Sequence, residues 1–185
     1  MKKTLRTTCW LIGAFFVIVS SVAQSPTEVS GKRREVFGDN GSFERLSTLP
    51  KNALAALIAS KEASYARDYV QEKPGTDLNE LFVAVEVRLA GPKENDYVVE
   101  GNFPLTGADC NWFWIVRVNA KTGRASVLLF DNADTIELLL NRTMGLRNIR
   151  TMWESPNERI TKIYHFDGER YKLAHKYDKI TWGKP

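Results

Sequence analysis

From Leu81 onward the chain alternates between apolar and polar positions. Leu81, Val83, Val85, Val87 and Leu89 fall on one side and Phe82, Ala84, Glu86 and Arg88 on the other, a period of two that predicts a strand. Gly91 to Asp96 is a polar turn, and Tyr97 to Glu100 begins the return strand. A second hairpin runs from Trp112 to Val118, turns through Asn119 to Gly123, and returns from Arg124 to Phe130. Asp131-Asn132-Ala133-Asp134 reads as a solvated turn, and Ile136 to Leu140 and Leu146 to Trp153 as further strands. The last hairpin joins Ile160–Phe166 to Tyr171–Tyr177 through Asp167-Gly168, with Ile180-Thr181-Trp182 extending the edge.

Upstream the period changes. Ala53 to Val70 is rich in Ala, Leu, Lys and Glu, with Leu54, Leu57, Ile58, Tyr65 and Tyr69 on one face. Thr48 can cap this helix, Pro50 suits its first turn, and Lys73-Pro74-Gly75 ends it. A helix with one apolar face needs a layer to cover, and the hairpins supply one. The expected class is therefore α+β, mainly β: a twisted antiparallel sheet of hairpins with one N-terminal helix packed on a face. Residues 46–185 form that single domain. Residues 24–45 are a polar, flexible lead-in with a short strand at Glu35-Val36-Phe37 and an Asn-Gly turn at Asp39-Asn40-Gly41. No glutamate follows that turn at the spacing of a calcium loop.

The first residues change what composition means. Lys2, Lys3 and Arg6 precede an apolar run from Trp10 to Val19, and Ser20-Ser21-Val22-Ala23 offers small residues for a cut after Ala23. This is the pattern of a secretory signal peptide over residues 1–23, with an apolar run shorter than the roughly 20 residues of a membrane anchor. Of 185 residues, 162 then remain, without a transmembrane segment. Three of the 26 basic residues and none of the 22 acidic ones lie in the leader, which brings the mature chain to a net charge of +1. The one basic run, Lys32-Arg33-Arg34, makes no stripe, and nucleic acid is not an expected partner. Cys9 leaves with the leader, so Cys110 has no intramolecular disulfide partner and reads as a small buried apolar residue.

Candidate chemistry is sparse. His165 and His175 flank the last turn, but loops of two or four residues place them on opposite faces, and only an odd loop or a bulge changes that. Neither a metal nor a cofactor is expected: zinc wants three or four ligands, and no glycine-rich loop opens a helix for a phosphate. There is no Gly-x-Ser-x-Gly elbow, and a Cys110–His dyad would have to be assembled by the fold. Asp109, Asp131, Asp134 and Glu137 lie near strand ends, where carboxylates for hydrolysis could converge. Asn40-Gly41-Ser42 and Asn141-Arg142-Thr143 match the glycosylation sequon, but the short Lys-Lys leader has a bacterial look and neither is expected to be modified.

Aromatic residues are the remaining signal. Trp112 and Trp114 share a face and Phe113 takes the other; Trp153, Trp182, Tyr164, Tyr171 and Tyr177 follow. They read either as a core layer between sheet and helix or as an exposed sheet face. In the second reading Trp112, Trp114, Trp153, Tyr164 and Tyr171 are the binding candidates. Lys172 and Lys176 alternate with Tyr171, Leu173, His175 and Tyr177, which gives the last strand one wet and one covered face.

Tyr164-His165-Phe166-Asp167-Gly168-Glu169-Arg170-Tyr171 fits a Tyr-x-Phe-Asp-Gly-x-x-Tyr hairpin. Gly107-Ala108-Asp109-Cys110-Asn111-Trp112 is similar to a Cys-Gly-x-x-Gly-Asn-Cys-like segment whose first Cys is missing here, and Gly145 to Ile149 carries Asn148 where Asp is usual. On these motifs the stretch from Gly107 to Tyr171 resembles small secreted bacterial proteins of uncharacterised function. The resemblance implies an exported β domain and brings no activity with it. Together these features lead us to expect a non-enzymatic binding or interaction module, periplasmic or extracellular, acting on an envelope or extracellular protein or polymer. The alternatives are a small secreted hydrolase with an acidic or Cys–His site and an envelope scaffold without a ligand of its own. Expressed with its leader in a bacterium, the exported chain should begin at Gln24 by N-terminal sequencing. Retention of Met1 in the exported material would overturn the signal assignment.

Overall fold

The computed structural model describes residues 35–38, 46–91, 95–106 and 110–180. The expected leader, the basic run, the expected Asn-Gly turn, Asp109 and Trp182 lie outside them. Among the described residues nine strands form two antiparallel sheets instead of the single sheet expected. They are β1 (Glu35–Gly38), β2 (Phe82–Val87), β3 (Asn95–Gly101), β4 (Asn111–Val118), β5 (Ala125–Ala133), β6 (Thr135–Thr143), β7 (Leu146–Glu154), β8 (Glu158–Phe166) and β9 (Tyr171–Ile180). One sheet runs β2-β3-β4-β5, the other β1-β6-β7-β8-β9. The predicted hairpins are all present. The meander leaves one sheet for the other at Asp134, the single residue between β5 and β6.

The reason for two sheets lies in how many faces are apolar. Both faces of the four-stranded sheet are buried. Its inner face sets Val85, Val98, Phe113 and Ile115 against Ile136, Leu138, Ile149 and Tyr164 of the five-stranded sheet. Its outer face carries Phe82, Ala84, Val99, Trp114 and Val116 beneath Leu49, Ala53, Leu57 and Ala66 of the helical segment. Helices, four strands and five strands thus stack as three layers.

The helix expected over Ala53–Val70 is two helices, α1 (Lys51–Ala59) and α2 (Ser64–Glu72), joined by a 3₁₀ turn at Lys61–Ala63. Ser60 is extended at φ −69° and ψ 150°, and the Arg67 guanidinium donates to the carbonyls of Ile58 and Ser60 at the break. No glycine or proline marks this break. Arg67, four residues beyond the turn, satisfies it. Pro50, not Thr48, stands at the N-cap position, and its carbonyl accepts from Leu54 N–H at 2.9 Å. Among the described residues no helix is long and apolar enough to cross a membrane.

Irregular pairing decides which side chains meet. The β4–β5 register shifts between Ile115 and Val116, leaving Leu128 as an extra residue. Before that bulge the odd positions Ala125 and Val127 face the helices; after it Leu129, Asp131 and Ala133 face the other sheet. Asp131 to Asp134 is therefore strand and sheet corner, not the solvated turn expected, and Asp131 is 8 % exposed. In β8–β9 the shift between Ile163 and Tyr164 makes Ala174 the extra residue. Beyond Tyr171, β9 is exposed on both faces, where one covered face was expected.

At the end away from Asp131, one contact joins the two sheets and a second braces the four-stranded sheet. The Leu89 carbonyl accepts from Arg147 N–H at 3.0 Å and from Arg142 Nη1 at 2.6 Å. Buried Asp96 accepts a bidentate pair from Arg117, at 2.7 and 3.1 Å, and a bond from Leu89 N–H at 3.2 Å. At the corner itself Gly38 has φ +103°, and a Cβ there would lie 2.2 Å from the Asp134 carbonyl oxygen and 3.0 Å from Phe113 Cζ. A Cβ on Gly123, at φ +67°, would meet nothing within 4 Å among the described residues. Gly123→Ala should cost about 1 kcal/mol for its left-handed backbone alone. Gly38→Ala adds the clash and should cost at least about 2 kcal/mol in denaturant unfolding. Equal costs would show that β1 is not held against the corner.

Candidate functional site

The edges of the four-stranded sheet differ. β2 is covered by the chain before α1: Ser47 N–H donates to the Ala84 carbonyl at 2.8 Å, and Ser47 Oγ accepts from Glu86 N–H at 3.2 Å. β5, at the other edge, pairs only with β4 among the described residues. Asn119 N–H donates to the Arg124 carbonyl at 2.9 Å, which fixes the phase of this ladder. Antiparallel alternation then turns the N–H and C=O of Ala125 and Val127 away from β4, toward the open side.

That side is a groove. The end of α1 and the Lys61–Ala63 turn form one wall, and the β8–β9 turn with Glu169 and Arg170 forms the other. Its inner part, about 380 Å³, is lined by Val127 to Phe130, Tyr164 and Tyr171; a wider mouth of about 680 Å³ continues over Ala125 and Ser126. The middle layer of a three-layer stack is recessed here between the outer two. The rim is charged but not used up. Lys61 meets Glu62 only at 3.9 Å with its side chain 83 % exposed, and the Arg170 guanidinium has no hydrogen bond or ion pair among the described residues. Asp167 shapes the far wall by accepting from the N–H groups of Glu169 and Arg170, both at 2.9 Å. Those two bonds hold its carboxyl below the usual range.

At the inner end stands a polar cluster that links the sheets. Asp131 of β5 accepts from Thr151 Oγ1 at 2.6 Å, Lys162 Nζ at 2.6 Å and Tyr164 OH at 2.8 Å, donors from β7 and β8. Burial first, and then the Asp131 charge, push the Tyr164 phenol far above 10. Tyr171, whose OH donates to the Arg147 carbonyl at 2.6 Å, is likewise raised, mainly by burial.

The predicted aromatic candidates do not assemble into one exposed face. Trp114 is fully buried and Trp112 half-buried, both under the helices with Phe82, Phe130 and Tyr65. Trp112 and Trp114 share that side and Phe113 takes the other, as their parity indicated. Among the described residues the indole N–H of Trp114 has no acceptor. Tyr164 and Tyr171 are buried between the sheets, where each lines the groove's inner part. Trp153, half-buried in β7, lies across from Ile160.

The carboxylates considered for hydrolysis are each engaged. Asp131 is held as described, Asp134 accepts from Glu154 N–H at 2.6 Å, and Glu137 pairs with Arg150. Cys110, half-buried, precedes β4 of one sheet, while both histidines belong to the other. The elements of the groove that sequence reasoning missed are Lys61, Glu62, Ala125 to Phe130 and Arg170. The class of protein these observations define is a β-sandwich with a helical layer and one recessed strand edge. Comparison with known protein families, with curated proteins and with solved structures gives no match to this chain.

Tyr164 and Tyr171 make the fold sensitive to alkali. An unfolded phenol loses its proton near 10, whereas these keep theirs, so their contribution is complete below pH 10 and declines as pH rises above it. Each should add about 1.4 kcal/mol per pH unit to that decline, and Tyr164→Phe or Tyr171→Phe should remove its share. Stability measured by urea unfolding from pH 8 to about 12 tests this, and an unchanged slope in both variants would refute it.

Proposed function

We propose that the chain is an exported, non-enzymatic binding module of the periplasm or cell exterior that holds an extended segment of a partner protein in the groove along β5. The observation that carries the reading is the open β5 edge on the groove floor. The Ala125 and Val127 main-chain groups turned toward it repeat at strand spacing, and a second backbone matches such a row. Half-buried apolar side chains, Val127 and Phe130 among them, favour an occupant with alternating apolar residues. Arg170 and Lys61 at the rim suit a carboxylate on that occupant, and Glu62 and Glu169 select against a densely acidic one. The leader supports export. The engaged state of Asp131, Asp134 and Glu137 supports binding over hydrolysis.

A photo-cross-linking residue at exposed Ser126 should yield a discrete protein adduct in the exporting cell, and one at Thr122, in the hairpin turn, should not. Ala125→Pro removes an outward N–H without removing a β4 ladder bond, so it should abolish the adduct while leaving unfolding nearly unchanged. Absence of any adduct from Ser126 would sink the groove as a site. An adduct that survives Ala125→Pro would sink strand pairing as its mode.

A further inference from the structure

The bulge at Ala174 has a second effect on the outer side of the five-stranded sheet. Near the turn, His165 stands opposite Lys172 and Tyr164 opposite Leu173, the even–odd pairing that sends His165 and His175 to opposite faces. Beyond Ala174 the pairing becomes Ile163 opposite His175. The expectation of opposite faces is thereby reversed: the ring centroids of His165 and His175 are 5.9 Å apart at an interplanar angle of 81°. His175 also stacks on Tyr177 at 6.1 Å. Among the described residues neither imidazole has a hydrogen bond or an ion pair. A bulge leaves a residue unpaired and breaks the ladder, and bulges recur where a side chain must be re-aimed.

We propose that His165 and His175 bind one divalent late first-row metal ion, Cu²⁺ foremost. Metal–nitrogen bonds of about 2.0–2.1 Å place two imidazole centroids on one ion about 4.5 Å apart at a right angle and about 6.4 Å apart in line. The observed separation lies inside that range. Two neutral nitrogen donors without a thiolate suit copper(II), nickel and zinc, with copper the tightest by the general order of divalent affinities. Among the described residues no third His, Cys, Asp or Glu joins them, so water completes the coordination. Lys172 and Lys179 share this outer face with the histidines, and Asp167 meets Lys172 only at 3.8 Å. Their charge limits the affinity and leaves the chelate pair as its source. The site is independent of the groove and of the reading placed on it.

The test uses the full mature chain from Gln24, titrated calorimetrically with Cu²⁺ and with Mn²⁺. The double variant His165→Gln/His175→Gln serves as the background for any other copper-binding group. One equivalent of Cu²⁺ above that background is expected, with no corresponding Mn²⁺ event. His165→Gln and His175→Gln alone should each weaken binding at least about tenfold, because each removes one of two chelating donors. Circular dichroism establishes that the variants are folded, and electron paramagnetic resonance of the copper form should show two imidazole nitrogens. Absence of the extra equivalent, retention of wild-type affinity in either single variant, or a single-nitrogen spectrum would overturn the proposal.

Discussion

The carboxylate of Asp131 is the contact on which the two sheets depend. It belongs to β5 of one sheet and is bound entirely by side chains of the other: Thr151, Lys162 and Tyr164. A buried charge is costly, and a buried ion pair is often no more stabilising than an apolar replacement. What Asp131 supplies is direction. Three donors from two strands converge on two oxygens, so the sheets can neither slide along each other nor exchange partners without stranding a charge. Its ion pair is also the less exposed end of a graded contact, with Lys162 26 % and Asp131 9 % exposed at the side chain. That geometry lets the lysine stem cross from solvent to the interior while its ammonium stays paired.

The position of Asp131 follows from the bulge at Leu128. Were β5 regular, Ala125 and Val127 would share a face with Leu129 and Asp131, and the carboxylate would be driven under the helices. The extra residue puts Leu128 and Leu129 both into the core between the sheets and delivers Asp131 to its donors. The same device recurs at Ala174 in β9. In β6 the register shifts between Leu138 and Arg142, where Arg147 donates to the freed carbonyls of Leu138 and Leu139 at 2.5 and 2.9 Å. Each irregularity moves a polar side chain to a place that regular pairing denies it.

This pattern explains how far the chain could be read without coordinates. Strand positions were legible because period two survives locally: Leu81–Leu89 became β2 with its preceding turn, and Trp112–Val118 became most of β4. The pairing of Trp112 with Trp114 on one side was legible for the same reason. Anything that depended on parity across a bulge was not. The opposite placement of the histidines assumed an unbroken ladder, whereas the covered face of β9 failed because exposed Leu173 already lies before the bulge, on a strand at the edge of its sheet. The solvated reading of Asp131-Asn132-Ala133-Asp134 came from composition, although alternation through Leu129, Asp131 and Ala133 carried the strand further. The break at Ser60 had no signal of its own, because Arg67 that stabilises it stands in the next helix. The groove was invisible for a different reason: it is an edge, and edges are made by the order of strands.

That order also explains why the groove lies beside β5. A meander that switches sheets must leave one strand at the edge of the sheet it abandons, and here β5 turns its last residues into the corner and leaves its first ones open. An exposed, regular strand edge invites nonspecific pairing, and β9 meets that hazard with Lys172, Lys176 and Lys179 along its length. β5 has no such charges between Ala125 and Phe130. Its protection is recession: the end of α1 and the tip of the β8–β9 hairpin stand on either side and admit only what fits between them. An edge guarded by walls and not by like charge remains able to pair, and this asymmetry between β9 and β5 distinguishes the groove from an ordinary consequence of the fold.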